Sequence, residues 1–328
     1  MERLNGADTL RDCRGYRHFG FLTLPSYSMI AFANAIEVLR IANYVAGHQW
    51  YRWTVYTIDG RTAIPSNGVA IRATHAFVNS GDLPDVLIVC GGVGVRQAVN
   101  TSLLTALRQA ARRGVALGAL CNGVFALLAS GLMDGYRCAV HWENVAALAI
   151  EFPRVQISDE IFVLDRDRMT CASGAAPVDM MLNLVAGQIG GPFAAQASRY
   201  LCIDRLRAPR ERQSSPVSAR LYGARSELVE LVALMEANVE EPLSSQDLAR
   251  LVGVSDRHMQ RMFREHFDRS PSEYYLTIRL NRARNLLLNS ASEVRAISSK
   301  CGFESGCAFS KAYRREFGYT PSMERRRS

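Results

Sequence analysis

LARLVGVSDRHMQRMFREHFDRSPS (Leu248–Ser272) and ISSKCGFESGCAFSKAYRREFGYTPS (Ile297–Ser322) are two copies of one pattern. Each begins with a helical stripe, turns at a glycine (Gly253, Gly302), runs through a second helix closed by an aromatic residue, and ends on Ser/Thr-Pro. The copies are offset by 49 residues at Gly253/Gly302 and by 50 at Phe267/Phe317 and Pro271/Pro321, so the second copy has gained one residue just after its turn. Two helices joined by a short Gly turn, with arginines on the second, describe a helix-turn-helix DNA reader. Two in tandem let one chain address two stretches of major groove.

In the first copy, the spacing of Leu248, Leu251, Val254, Met259 and Phe263 predicts the core of a three-helix unit. That leaves Asp256, Arg257, Gln260, Arg261 and Arg264 facing outward. Arg257, Gln260 and Arg261 form one stripe of side chains able to pair with guanine and adenine edges, while Arg264, a turn on, suits phosphate. The second copy buries Ile297, Phe303, Phe309, Tyr313 and Phe317 and presents Ser305, Gly306, Cys307, Ser310, Lys311 and Arg314. Gly306 and Cys307 offer no bidentate pair, so this copy is expected to act more through Lys311, Arg314 and Arg315 on the backbone. The units are expected at about 244–266 and 293–316. Ser244 with Asp247, and Ser270-Pro271-Ser272-Glu273, are capping-box signals for the helices between them. The second of these helices, running to about Leu288, joins the two readers.

Charge follows the repeat. Residues 251–328 carry 15 Lys+Arg against 8 Asp+Glu, whereas residues 1–250 carry 24 against 23. Phosphate binding requires such a surplus, although only Lys300 and Lys311 are lysines and arginine usage is general along the chain. A length of 328 residues suits two domains, and 48% hydrophobic with 21% charged residues is ordinary for a globular chain. No apolar stretch approaches the roughly 20 residues of a membrane helix, and the charged start MERLNGADTLRDCRGYR lacks an apolar export core, so a cytoplasmic location without membrane contact is expected. Eight cysteines show neither CxxC pairs nor zinc-type His spacing, so no metal is expected, and the sequence indicates no organic cofactor.

From Arg17 to about Gly190, apolar runs alternate with helical patterns. HFGFLTL (18–24), YRWTVYTI (51–58), DVLIVC (85–90) and GVALGAL (114–120) read as buried strands; 29–45 and 102–113 read as helices. Strands at 138–142, 161–164 and 169–172 and a helix at 177–189 complete the layer. The predicted fold class is therefore α/β: a doubly wound, mostly parallel sheet followed by an all-α domain with two helix-turn-helix units. The domains are expected as a tail (1–16), a sheet domain (17–204), a linker (205–223) and a DNA-binding domain (224–328). The linker reading rests on RLRAPRERQSSPVSARLY (205–222), which is charged, serine-rich and without apolar period.

Within the sheet domain, GALCNGVFALLASGL (118–132) runs a buried strand into Cys121, then Asn-Gly, then an apolar helix. That is a nucleophile-elbow arrangement, which is expected to depress the thiol pKa and to offer backbone N–H groups, with Gly91 and Gly92 adding more. His141, in CAVHWEN, is placed to reach the same strand-end surface. Asn122, Trp142 and Glu143 are further candidates for an effector pocket, Trp142 by cation–π contact and Glu143 by charge pairing. Trp142 and His141 read equally well as packed side chains of the sheet.

The last hundred residues resemble the AraC/XylS family of transcription regulators, on the strength of the GFES…FS…YRREFGYTPS stretch and its GFxxxxxFxxxFxxxxGxxP skeleton. That resemblance implies promoter DNA as partner and, usually, activation through RNA polymerase. Residues 17–200 resemble the class I glutamine-amidotransferase-like, or ThiJ/PfpI-like, superfamily. LCNG…LMDGYR…HWEN, CASGAAPVDMML and MEANVEEPLSSQDLA together are similar to the AraC regulators that carry such a domain and respond to arginine, glycine betaine, carnitine or related metabolites. The resemblance implies an effector-sensing N-terminal domain and a homodimer. It also places Cys121 and His141 where related enzymes keep a Cys-His-acid triad. Those enzymes carry an acid near Ile30-Ala31-Phe32, and some a His after the Cys; this chain has no acid there and has Asn122 instead. A binding pocket on an enzyme scaffold, with Cys121 and His141 vestigial and no catalytic residue, is the expectation; a retained Cys-dependent hydrolase or amidotransferase-type activity is the alternative.

Overall fold

The computed structural model describes residues 15–72, 75–78, 81–213, 224–290 and 292–327. It divides into two units, Met1–Val145 with Phe152–Gln213, and Ser214–Ser328 with Ala146–Glu151. The expected tail up to residue 14 and the stretch 214–223 of the expected linker lie outside the described residues.

In chain order, strand and helix alternate through β1 (His18–Thr23), α1 (Met29–Ala46), β2 (Arg52–Thr57), β3 (His75–Ala76), β4 (Val86–Cys90), α2 (Val95–Ala98), α3 (Thr101–Arg112), β5 (Ala116–Leu120), α4 (Val124–Ala129), β6 (Arg137–Ala139), α5 (Val145–Glu151), β7 (Gln156–Ser158), β8 (Phe162–Asp165), β9 (Arg168–Cys171), α6 (Ala176–Ile189) and α7 (Gly191–Tyr200), all in the first unit except α5, which from Ala146 on is counted with the second. One seven-stranded sheet runs in the order β3-β2-β1-β4-β5-β9-β8. All neighbours are parallel except β8 against β9. Every residue of β1, β4 and β5 is buried, as expected of continuous apolar runs covered on both faces. α1 and α6 pack together, with Phe32, Ala35, Leu39, Met181 and Val185 in one core with Phe19, Phe21 and Ile88. By length and composition α1 is apolar enough to cross a membrane, which the reading of the sequence did not anticipate. In the fold its apolar face lies in that core.

One strand departs from expectation. The run expected at 138–142 ends at Ala139 and pairs with β7 in a separate two-stranded sheet. The Val140 N–H still donates to the Ser158 carbonyl, but the Trp142 N–H donates to the Gln213 side chain, so the ladder does not reach Trp142. His141 and Trp142 therefore stand on a turn beyond the strand rather than within it. The very short β3 and β7, and α7 after its Gly-Pro start, carry too little pattern to be read from the sequence.

The second unit is helical: α8 (Ser226–Ala237), α9 (Ser245–Val252), α10 (Asp256–Phe267), α11 (Pro271–Asn289), α12 (Val294–Lys300), α13 (Gly306–Phe317) and α14 (Pro321–Arg327). Side-chain hydroxyls cap the starts: Ser244 accepts the Asp247 N–H, Ser255 that of His258, and Ser305 that of Ala308. Ser270 and Glu273 close a complete capping box at α11, as the sequence predicted. Each such cap contributes about 1 kcal/mol. The glycine turns take positive φ, +74° at Gly253 and +71° at Gly302. Leu248, Met259 and Phe263 are core residues of the first reader, with Leu228, Leu231 and Met235 of α8 packed on them. Leu251, expected in that core, is 55% exposed. Gly253 ends α9 immediately afterwards, and the inward place is taken by Val252 and Val254. In the second reader Ile297, Phe309 and Tyr313 are fully buried, and Phe303 and Phe317 pack against them.

Candidate DNA interface and effector site

α10 carries its charges on the side away from the core. Met259, Met262 and Phe263 are buried, while Asp256, Arg257, Arg261 and Arg264 are exposed and Gln260 is half-exposed. Arg261 is engaged along its own helix, meeting His258 Nδ1 at 2.9 Å and Glu265 at 3.7 Å. Such an exposed pair is weak and exchanges readily for a phosphate or base contact. α13 is built likewise: Phe309 and Tyr313 are buried, Cys307, Lys311, Arg314 and Arg315 exposed, Ser310 half-exposed. Ser305 is the N-cap of this helix, so its hydroxyl already accepts a backbone N–H. The same holds for Ser255, fifty residues earlier.

At the strand-end surface, Cys121 takes φ +55°, a left-handed conformation that a non-glycine residue adopts only under constraint. Its N–H donates to the Ala172 carbonyl. The elbow is tight because two glycines let backbones touch. A Cβ on Gly91 would stand 2.3 Å from the Gly123 nitrogen, and one on Gly123 would stand 2.2 Å from the Val89 carbonyl. The Gly91 N–H donates to Leu120 O at 3.3 Å and so is not offered to a ligand as expected. Gly92 bridges to Tyr27, and its carbonyl accepts from Asn122 Nδ2. Asn122 Oδ1 in turn accepts from Asn144 Nδ2 at 2.9 Å. Asn122 thus ties the elbow to the turn that carries His141, Trp142 and Glu143.

The thiol differs from expectation. Burial raises the Cys121 pKa, and the opposing hydrogen bonds of Ser173 and the Asn122 N–H do not overcome it, while the Glu143 charge adds to the rise. Among the described residues no hydrogen bond joins the thiol to His141. His141 Nδ1 instead lies 3.5 Å from Glu143, and burial lowers its pKa, with Glu143 opposing. Its ring and that of Trp142 are 5.4 Å apart. No acidic residue lies in the first turn of α1.

Two residues that sequence reasoning missed fasten the stretch 205–213 to the first unit, Gln213 at this turn and Arg207 at α6. Gln213 Oε1 accepts the Trp142 N–H at 2.9 Å, and its Nε2 donates to the carbonyls of Val140 and Glu160. Arg207 donates through Nε and a terminal nitrogen to the Asp179 carboxylate, which is 4% exposed. Residues 205–213, expected as exposed linker, are therefore bonded to the first unit as a strap. The bonds span 28 residues or more and leave no local pattern. Two recesses open elsewhere on this unit, one lined by Arg17, Trp50 and Arg52, the other by Thr101, Thr105 and Gln109. Neither includes the elbow residues, where the titratable and aromatic side chains converge.

A mostly parallel sheet with a cysteine elbow, followed by a helical unit with two capped basic helices, defines a DNA-reading regulator with a second, α/β domain. Comparison with known proteins agrees. Residues 248–327 match the helix-turn-helix domain family and residues 28–187 the DJ-1/PfpI family. The HTH-type transcriptional regulator GbdR of Pseudomonas aeruginosa is 42% identical over 312 residues, 95% of this chain and 85% of that protein. The HTH-type transcriptional regulator ArgR of the same species is 43% identical, covering 94% and 93%. A crystal structure of an AraC family transcriptional regulator from Pseudomonas putida matches 56% of this chain and 99% of its own, at 32% identity and a TM-score of 0.52. The chain belongs to the AraC-type helix-turn-helix transcriptional regulators with an N-terminal DJ-1/PfpI domain.

Proposed function

We propose that the chain is a homodimeric, cytoplasmic regulator that activates transcription when a small amino acid or quaternary ammonium compound binds at the elbow end of its sheet. The observation that carries this reading is that Asn122 joins the elbow to the turn and Gln213 joins the turn to the strap. Anything seated between Cys121 and the Trp142–Glu143 turn would press on the strap that precedes the DNA-binding domain in the chain. Trp142 and Glu143 suit a cationic headgroup, by ring face and by charge. Promoter DNA is bound through Arg257, Gln260, Arg261 and Arg264 of the first reader and Ser310, Lys311 and Arg314 of the second, with RNA polymerase recruited at the bound promoter. A non-enzymatic role is supported by the raised thiol pKa and by the lack of an acid in the first turn of α1. Thermal-shift titration of the full chain with arginine, glycine betaine and carnitine tests the pocket. One of them should stabilise wild type and lose most of its shift in Glu143→Ala; a flat response to all three would remove the proposal.

A further inference from the structure

Arg279 lies near the middle of α11, the helix between the two readers. Its Nε donates to the Cys301 carbonyl at 2.8 Å and a terminal nitrogen donates to the Gly302 carbonyl. Its guanidinium carbon stands 4.3 Å over the Phe303 ring. Cys301 and Gly302 are the last residues before the second reader turns toward α13, and carbonyls at a helix C-terminus lack intrahelical partners. One side chain thus grips three consecutive residues of that turn.

The opposite side of the turn is also held. A Cβ on Gly302 would stand 2.7 Å from Pro242 Cγ and 2.7 Å from the Val239 carbonyl, whereas one on Gly253 of the first reader would meet nothing within 4 Å. Val239 and Pro242 lie in the segment that leads into the first reader. Tyr275, four residues before Arg279 and so on the same face of α11, fastens that segment: its hydroxyl donates to the Asn238 carbonyl and accepts the Leu243 N–H. Tyr275 and Arg279 therefore hold the lead-in to the first reader and the turn of the second against each other.

We propose that Arg279 is a positioning residue for DNA recognition: by fixing the turn at Cys301–Phe303 it sets the angle at which α13 meets the groove relative to α10. It acts through the turn and not by touching DNA. Lysine keeps the charge but is a point donor that cannot span two carbonyls and stack on the ring.

The test uses the full chain and a duplex of about 40 bp selected by wild type from a random pool, long enough for two adjacent groove segments. Hydroxyl-radical footprints of wild type are expected to show two protected segments, assigned to the readers with Arg257→Ala and Arg314→Ala. Arg279→Ala should keep the first segment, lose the second and bind about tenfold more weakly, with thermal melting little changed. Arg279→Lys should weaken the same segment while keeping the salt dependence of wild type, and it decides the matter if the alanine variant melts early. Equal weakening of both segments, an unchanged second segment, or a wild-type footprint confined to one segment would each overturn the proposal.

Discussion

Glu324 accepts a hydrogen bond from the Tyr313 hydroxyl at 2.7 Å, joining the final helix, α14, to the buried side of α13. Both residues are enclosed, at 3% and 0% exposure. Arg284 of α11 completes the group, donating to Glu324 and to the Tyr319 hydroxyl. α14 thus serves as a clasp on the second reader, and the basic run Arg325–Arg327 is carried on it.

Removing that carboxylate leaves a buried hydroxyl and a guanidinium without their acceptor. Glu324→Ala should destabilise the helical unit by about 2 kcal/mol, read as an earlier denaturant midpoint in the fluorescence of the full chain.

The same group predicts a pH effect. Burial pushes the Glu324 carboxyl up, but the Tyr313 and Tyr319 hydrogen bonds and the Arg284 charge outweigh it and hold the pKa below the ordinary value. A depressed folded-state pKa gives stability that is complete above the unfolded value and lost as pH falls through the folded one. Glu324→Gln should therefore differ from wild type at neutral pH and converge with it in acid, as followed by melting temperature between pH 7 and pH 3.

For the readers, Arg257→Ala should cost about 1–3 kcal/mol on a selected duplex and relax preference at one base pair. Arg314→Ala should weaken all duplexes alike and flatten the dependence of log K on log salt by about one unit. Anisotropy titrations at several salt concentrations separate the two outcomes.

Burial keeps Cys121 as thiol. Iodoacetamide should modify it more slowly than exposed Cys202 or Cys307 at pH 8, measured by peptide mass spectrometry. Cys121→Ala should leave DNA affinity unchanged.

The geometry of α11 bears on DNA shape. Nineteen helical residues span about 28 Å, short of the roughly 34 Å groove repeat. Engaging both readers on one face should bend the duplex, and a circular-permutation gel should show position-dependent mobility.

Much of this was legible in the sequence because the signals are local. Nearly continuous apolar runs gave β1, β4 and β5, and the repeat of Gly253 and Gly302 gave the two readers with their caps. What escaped depends on distant partners. Arg207 reaches Asp179 across 28 residues and Gln213 reaches Val140 across 73, so a charged, serine-rich stretch reads as linker although it is bound. The elbow at Cys121 follows from Leu-Cys-Asn-Gly, yet the direction of its thiol shift depends on how deeply the surroundings bury it. That Ser305 caps α13 could not be told from a plain surface hydroxyl until the helix start was known. The clasp of Glu324 was hidden in a seven-residue helix at the chain end.

The most direct measurement compares the full chain on the duplex it selects from a random pool with a scrambled duplex of equal length, by anisotropy at about 0.15 M salt. The account predicts at least ~10³-fold tighter binding to the selected duplex, with Arg257→Ala and Arg314→Ala each reducing affinity. Equal affinity for the two duplexes would contradict it.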